Sequence, residues 1–409
     1  MSYISAYKSI ALMTAAAVAF IAVPASALDA QKGSLPMALS PKSVVGKKGD
    51  LVFKAQSLIV GVTSTATLVA GGDPRYLATP AKDGVVALIM EYANGDAYIC
   101  SGSLIDRMTI LTAGHCVSSG YGTEQPVNVT AYFRNSAADG LDPHFTQVSA
   151  TRTVSKIMVN ENYTGQVIDQ NDIAALRLST AAPSWAPAYA LYDPTDLAGT
   201  DYDITGWGNR SSIGGSYGWT SGTPAGRMRE GDNTYTTTWG DAAWGGFFTD
   251  RDPVTGYAFW DDNSGAFAAA DYDDSWISDF DNGLAANDQH CLLGSDFGTL
   301  AFCDTGLGAD EVSSAGGDSG GPQFVDGKIA SVTSYGYSFG PGYGDVDVYL
   351  NNSFGEGNGF VPVYLHRDFI AAAMAVPEPA TWGLMIAGFG MVGYAARRRK
   401  RGDMARVTA

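Results

Sequence analysis

The stretch Ser313-Ser314-Ala315-Gly316-Gly317-Asp318-Ser319-Gly320-Gly321-Pro322 constrains this chain more than any other. Glycines on both sides of Ser319 specify a backbone that turns tightly and can bring N–H groups toward one hydroxyl with no side chain in the way. A serine hydroxyl is a poor nucleophile alone. It needs a base to take its proton and a third group to orient that base. Upstream, His115 stands in Ile110-Leu111-Thr112-Ala113-Gly114-His115-Cys116 and Asp172 in Asn171-Asp172-Ile173-Ala174-Ala175-Leu176, with Asp169 the nearest competitor for the carboxylate.

The surroundings of these residues read as strands. Apolar runs at 85–90 and 97–99 flank Asn94-Gly95-Asp96, and Asn-Gly between two such runs signals a hairpin. His115 follows a strand end, residues 151–158 read as a strand, and Asp172 opens the strand 173–178. Only 16% of the residues are charged and 50 are glycine, which suits a loop-rich, exported β protein. A β-rich unit of more than about 200 residues can be one domain. The net charge of -17 excludes a phosphate-binding surface, so no nucleic acid partner is expected.

The N-terminus carries Lys8, an apolar run at 10–23 and Pro24-Ala25-Ser26-Ala27, so residues 1–27 read as a secretory signal peptide. Residues 28–68 show no clear period and read as a pro-segment or linker. The four cysteines, Cys100, Cys116, Cys291 and Cys303, lack zinc-site spacing; in an exported chain they imply two disulfides, with three pairings open.

The ordered set of motifs resembles the trypsin/chymotrypsin-type serine peptidases. It runs through Cys100-Ser101-Gly102-Ser103-Leu104-Ile105, the His115 and Asp172 blocks, Gly206-Trp207-Gly208, the Ser319 block, Ser334-Tyr335-Gly336, and Gly359 to Ile370. The order His, Asp, Ser agrees, and Asp172 rather than Asp169 fits the family's Asn-Asp-Ile-Ala pattern. The resemblance implies an all-β fold, an antiparallel double β-barrel closed by a C-terminal helix from Arg367 to Met374, with residues 69–375 as the domain. It implies His115, Asp172 and Ser319 as catalytic residues, and the N–H groups of Gly317 and Ser319 as the oxyanion hole. The primary pocket would rest on Ser313, which is not an acid, with Gly336 and Gly359 as open walls, and a large apolar residue before the cut is expected. Ser334, Tyr335 and Gly336 would pair with extended substrate. Asp345, Asp347 and Glu356 are the acids with a chance of reaching the pocket. The resemblance also implies the bridges Cys100–Cys116 and Cys291–Cys303. It implies a released apolar N-terminus that pairs with Asp318, for which Val69-Ala70-Gly71-Gly72 is the candidate.

Two segments fall outside that resemblance. An insert at about 210–285 carries Trp239, Trp244, Trp260 and Trp276 with acidic clusters. Asp279-Phe280-Asp281-Asn282-Gly283 comes nearest to a calcium loop but lacks EF-hand spacing, so the insert reads as a solvated, partly aromatic-packed surface excursion, with no metal and no cofactor expected. At the other end, Val376-Pro377-Glu378-Pro379, an apolar run to Ala396 and Arg397-Arg398-Arg399-Lys400-Arg401 resemble a PEP-CTERM sorting signal over 376–401, with a tail at 402–409. It implies a separate hydrophobic sorting helix that anchors the chain in the membrane before processing by an exosortase-type partner. The expectation is an exported serine endopeptidase at the cell surface or beyond, acting on proteins or peptides. The alternative is a noncatalytic surface or adhesion protein on the same fold.

Overall fold

A computed structural model describes residues 37–38, 44–48, 51–56, 59–123, 126–249, 271–375, 387–392 and 394. The chain divides into residues 1–35, which lie outside the described residues together with the expected signal peptide, and residues 36–409, to which all that follows refers.

Six antiparallel strands close into a barrel. Ala97–Leu104 pairs with Val85–Glu91, then Asn128–Phe133, Ala150–Val159, Ala174–Leu178 and Thr109–Thr112 follow in order, and the last pairs back onto Ala97–Leu104. The hairpin expected at Asn94-Gly95 is present, with Glu91 opposite Ala97 and Gly95 at φ 91°. The unbroken apolar run at 85–90 has a physical reason. Val86, Leu88 and Met90 point into this barrel, while Val85, Ala87 and Ile89 pack with Trp207, Val332, Val361 and Ile370. Both faces of that strand are dry, so its sequence does not alternate.

A second sheet curls into a half-barrel. Its order is Arg229–Thr234, Asp201–Gly206, Pro322–Val325, Lys328–Ser338, Glu356–Pro362, Trp276–Phe280 and Thr237–Thr238. The helix Arg367–Met374 is where the apolar spacing puts it, with Ile370 and Ala373 buried. Ile370 joins the core shared by both sheets. The structure is thus the expected mostly-β double barrel with few helices.

In the described part of the insert the expected aromatic packing is present, but it forms a buried core and not a surface excursion. Trp239, Trp244 and Phe248 are all but fully buried, in one cluster with Phe53, Tyr335, Tyr337 and Phe339. Ring geometry is edge-on for Trp239 with Phe248 and Tyr337. Each aromatic side chain so buried stabilises the fold by roughly 2–3 kcal/mol, which outweighs the pull of the neighbouring carboxylates toward water. Trp260 lies outside the described residues.

The segment 28–68 also departs from a plain linker. Leu51–Gln56 adds to the edge of Lys328–Ser338, with Gly336 opposite Gln56, Tyr337 opposite Ala55 and Ser338 opposite Lys54. Phe53 and Ala55 are fully buried there. Among the described residues no helix is long and apolar enough to cross a membrane. Of the expected sorting helix, residues 387–392 and 394 are described and are helical.

Candidate active site

The strand Thr109–Thr112 ends in a 3-10 turn, Gly114–Cys116, which is held by the disulfide Cys100–Cys116. This turn presents His115 to Asp172. The His115 N–H donates to Asp172 Oδ1 at 2.7 Å, and ring Nδ1 lies 2.7 Å from Oδ2. Asp172 is 2% exposed and accepts a third hydrogen bond, from Ser334 Oγ at 2.6 Å. Three donors offset the loss of water around a buried carboxylate. Because the carboxylate only accepts, the proton on this edge of the ring sits on Nδ1, which leaves Nε2 with a lone pair. Nε2 is buried and has no partner among the described residues.

Ser319 stands against the same turn. Its carbonyl accepts from the Ser101 N–H at 2.9 Å and lies 3.6 Å from Cys116 Sγ. Its side chain is 3% exposed, and no hydrogen bond joins it to Nε2 in this structure. Such bonds commonly tighten only once substrate is bound. The geometry therefore brings His115 and Asp172 into contact and sets the Ser319 backbone against the turn that carries His115.

The glycines around Ser319 are there for space and backbone shape. Gly317 has φ 102° and Gly320 φ 76°, in the region that side chains rarely adopt. A Cβ at Gly320 would come within 2.1 Å of Thr112 Oγ1 and 2.6 Å of the Ala113 nitrogen, on the segment that leads into His115. Gly320→Ala is therefore expected to cost several kcal/mol, about 3 or more, because strain and a wedge between two fixed strands add together. Chemical denaturation measures it; a loss under about 1 kcal/mol contradicts the packing described.

The carbonyl of Gly316 accepts from the Asn209 N–H at 2.7 Å, which turns the Gly317 N–H of that trans peptide the other way. Ser101 Oγ donates to the Gly317 carbonyl at 2.9 Å. Neither the Gly317 nor the Ser319 N–H donates to any group among the described residues.

Asp318 is fully buried and accepts from the N–H groups of Ala315 at 2.8 Å, Gly208 at 2.7 Å and Ile59. The residue meeting Asp318 is thus Ile59, in Ile59-Val60-Gly61-Val62, and not Val69, which is 99% exposed. The strand Val60–Gly61 pairs with Val312–Ser313, and this fixes the approach. Val69 failed as a choice because an apolar residue before Gly-Gly is also a surface turn.

Burial pushes Asp318 up to about 7, against 3.8 for a free aspartate, even though the three N–H groups pull it down. The folded chain then holds this proton over a range where the unfolded chain has lost it. Stability contributed here is present below about 4, falls as pH rises from 4 to 7, and is level above. The melting temperature of the uncleaved chain is expected to fall more steeply between pH 4 and 7 than that of Asp318→Asn; parallel slopes contradict this.

The pocket residues fare differently from expectation. Ser313 is fully buried, with its Oγ donating to Asn358 Oδ1 at 3.0 Å, and that oxygen also accepts from Ser314 N and Oγ. Gly359 is not an open wall. A Cβ there would lie 2.0 Å from Tyr335 Cζ, because the tyrosine ring lies over it, tied by Trp239 Nε1 donating to the Tyr335 hydroxyl at 2.8 Å. Gly336 pairs with Gln56, and the Ser334 hydroxyl serves Asp172. Glu356 accepts from Asn351 N and Asn352 N, and Asp345 from Ser338 Oγ, which occupies both carboxylates inside their own loop. Asp347 accepts from the Tyr349 N–H and Asn351 Nδ2 in the same loop. The second bridge, Cys291–Cys303, is present.

Ser334, Ser101, Asn358 and Ile59 are the residues that sequence reasoning missed in these roles. Ile59-Val60-Gly61 alone carried a signal, an apolar pair before glycine.

A trypsin family profile matches residues 79–241, which contain His115 and Asp172, while Ser319 lies beyond the matched stretch. A PEP-CTERM protein-sorting motif matches residues 375–400. Among curated relatives, an inactive CLIP domain-containing serine protease A3 of Aedes aegypti is 35% identical over 127 residues, covering 30% of this chain and 26% of that protein. Trypsin of Sus scrofa is 30% identical over 126 residues, covering 30% and 49%, and serine protease 1 of Canis lupus familiaris 33% over 126 residues, covering 30% and 46%. The alignments span between a quarter and a half of the length of these relatives. The chain carries a trypsin-family domain over residues 79–241 and a PEP-CTERM protein-sorting motif over residues 375–400.

Proposed function

We propose that the chain is an exported serine endopeptidase that uses Ser319, His115 and Asp172. The observation that carries this reading is the open Nε2 of a ring whose Nδ1 is fixed 2.7 Å from a buried carboxylate, set beside the Ser319 turn. Ser319 Oγ attacks the scissile carbonyl while Nε2 takes its proton. That proton then passes to the leaving amine, and Asp172 stabilises the imidazolium in between. The N–H groups of Gly317 and Ser319 meet the oxyanion, each donor being worth on the order of 3 kcal/mol in the transition state. Water repeats the sequence on the acyl-enzyme.

The chain is made as a precursor. Leu51–Gln56 covers Gly336, the last of the three residues on which extended substrate pairs, and a cut before Ile59 supplies an ammonium to Asp318. With Ser313 at the pocket floor and the nearby acids engaged, the residue before the cut is apolar. The PEP-CTERM motif directs the exported protein, anchored through its C-terminal segment, to an exosortase-type enzyme and the cell surface. Digestion of casein and paired Phe and Arg chromogenic substrates test the reading. Cleavage with a preference for Phe is expected; strong preference for Arg overturns the specificity, and inertness of the mature protein toward all three favours the noncatalytic surface protein.

A further inference from the structure

Away from the Ser319 site, four buried carboxylates gather at one end of the second sheet. Asp279 lies in Trp276–Phe280, Asp281 just past it, and Asp288 caps the helix Gln289–Asp296 by accepting from the Cys291 N–H. One oxygen from each lies within 4.8 Å of the others. Glu311 adjoins them, accepting from the Asp281 N–H at 3.0 Å. Their exposures are 7%, 1%, 1% and 3%, and among the described residues no Lys or Arg pairs with any of them.

Dry carboxylates this close cannot all ionise unless something positive joins them. Burial and mutual repulsion both oppose a full set of negative charges here. Two buried atoms aimed at the group have no hydrogen-bond partner among the described residues. One is Asp281 Oδ2. The other is Nδ1 of His290, a fully buried ring 3.5 Å from Asp279 Oδ1.

We propose that Asp279, Asp281 and Asp288 bind a calcium ion. Hard carboxylate oxygens suit calcium over softer metals, and ligands about 2.4 Å from one centre stand at most about 4.8 Å apart, as these do. A cavity of about 190 Å³, lined in part by Asn233, Asp304 and Glu311, reaches one of the three, Asp279. The site has a structural consequence. Asn233 Nδ2 donates to the carbonyls of both Asp279 and Val312, so an ion held here fixes the strand that carries Ser313.

The test uses purified mature protein stripped with EDTA, titrated calorimetrically with Ca²⁺, and melted with and without it. Wild type is expected to bind with a Kd of ~10⁻⁴ M, in the range of extracellular calcium modules, and to melt several degrees higher with calcium. Asp281→Asn and Asp288→Asn keep side-chain shape and relieve repulsion, so they fold, and each is expected to bind at least about tenfold more weakly. Terbium luminescence excited through Trp244, whose ring lies 6.1 Å from that of His290, reports occupancy without unfolding. No calcium heat and no terbium signal in wild type, equal binding by both variants, or binding of Zn²⁺ alone overturns the site. The readouts are binding and melting, so their failure is distinct from a failure to hydrolyse peptides.

Discussion

Ser319→Ala is expected to lower kcat for peptide hydrolysis by about 10⁵- to 10⁶-fold, with KM little changed. In the proposed mechanism this hydroxyl forms the bond to the carbonyl carbon, and no other group takes that role. His115→Ala is expected to cost about as much, and the double variant no more than either alone, since the groups act as one unit. Asp172→Asn should cost on the order of 10⁴-fold. An amide at 172 still fits the space, but its NH₂ favours the ring tautomer with the proton on Nε2, where the base must be free. Steady-state kinetics on a Phe substrate measures all three. A Ser319→Ala rate within about a hundredfold of wild type contradicts the assignment.

The second large effect concerns the N-terminus. A chain beginning at Leu28 is expected to be on the order of 10²- to 10³-fold less active than one beginning at Ile59, which is the loss that follows when an oxyanion donor is misplaced. Two contacts act together. The uncut chain keeps Leu51–Gln56 on the edge at Gly336–Ser338. It also offers Asp318 a neutral amide where a cut offers an ammonium, and the Asp318 loop carries the two N–H groups proposed for the oxyanion. N-terminal sequencing of active material should begin at Ile59. Full activity from a start at Leu28, or an active form starting at Val69, contradicts this.

The barrel strands were legible because their determinants are local. Asn94-Gly95 dictates its turn, and the dry run at 85–90 needs two covered faces. The site motifs were legible because His115 and Ser319 each need particular neighbours, a strand end in one case and glycines in the other. What escaped depends on contacts across long separations. Ser334 reaches Asp172 over 162 positions and Ile59 reaches Asp318 over 259; the apolar pair before Gly61 is a local signal, but no local pattern names either partner. The insert misled because Trp239, Trp244 and Phe248 sit among Gly and Asp, which reads as surface. Only the facing rings of Phe53, Tyr335 and Tyr337 make that segment a core. Gly359 misled in the opposite sense: a glycine opposite a tyrosine on a paired strand serves as the seat for the ring as readily as it leaves a void.

The most direct measurement of the central claim is mass spectrometry of the mature protein after reaction with a fluorophosphonate. One adduct per chain, mapped to Ser319 and absent after His115→Ala, is the result expected. An unmodified protein, or an adduct on another serine, contradicts it.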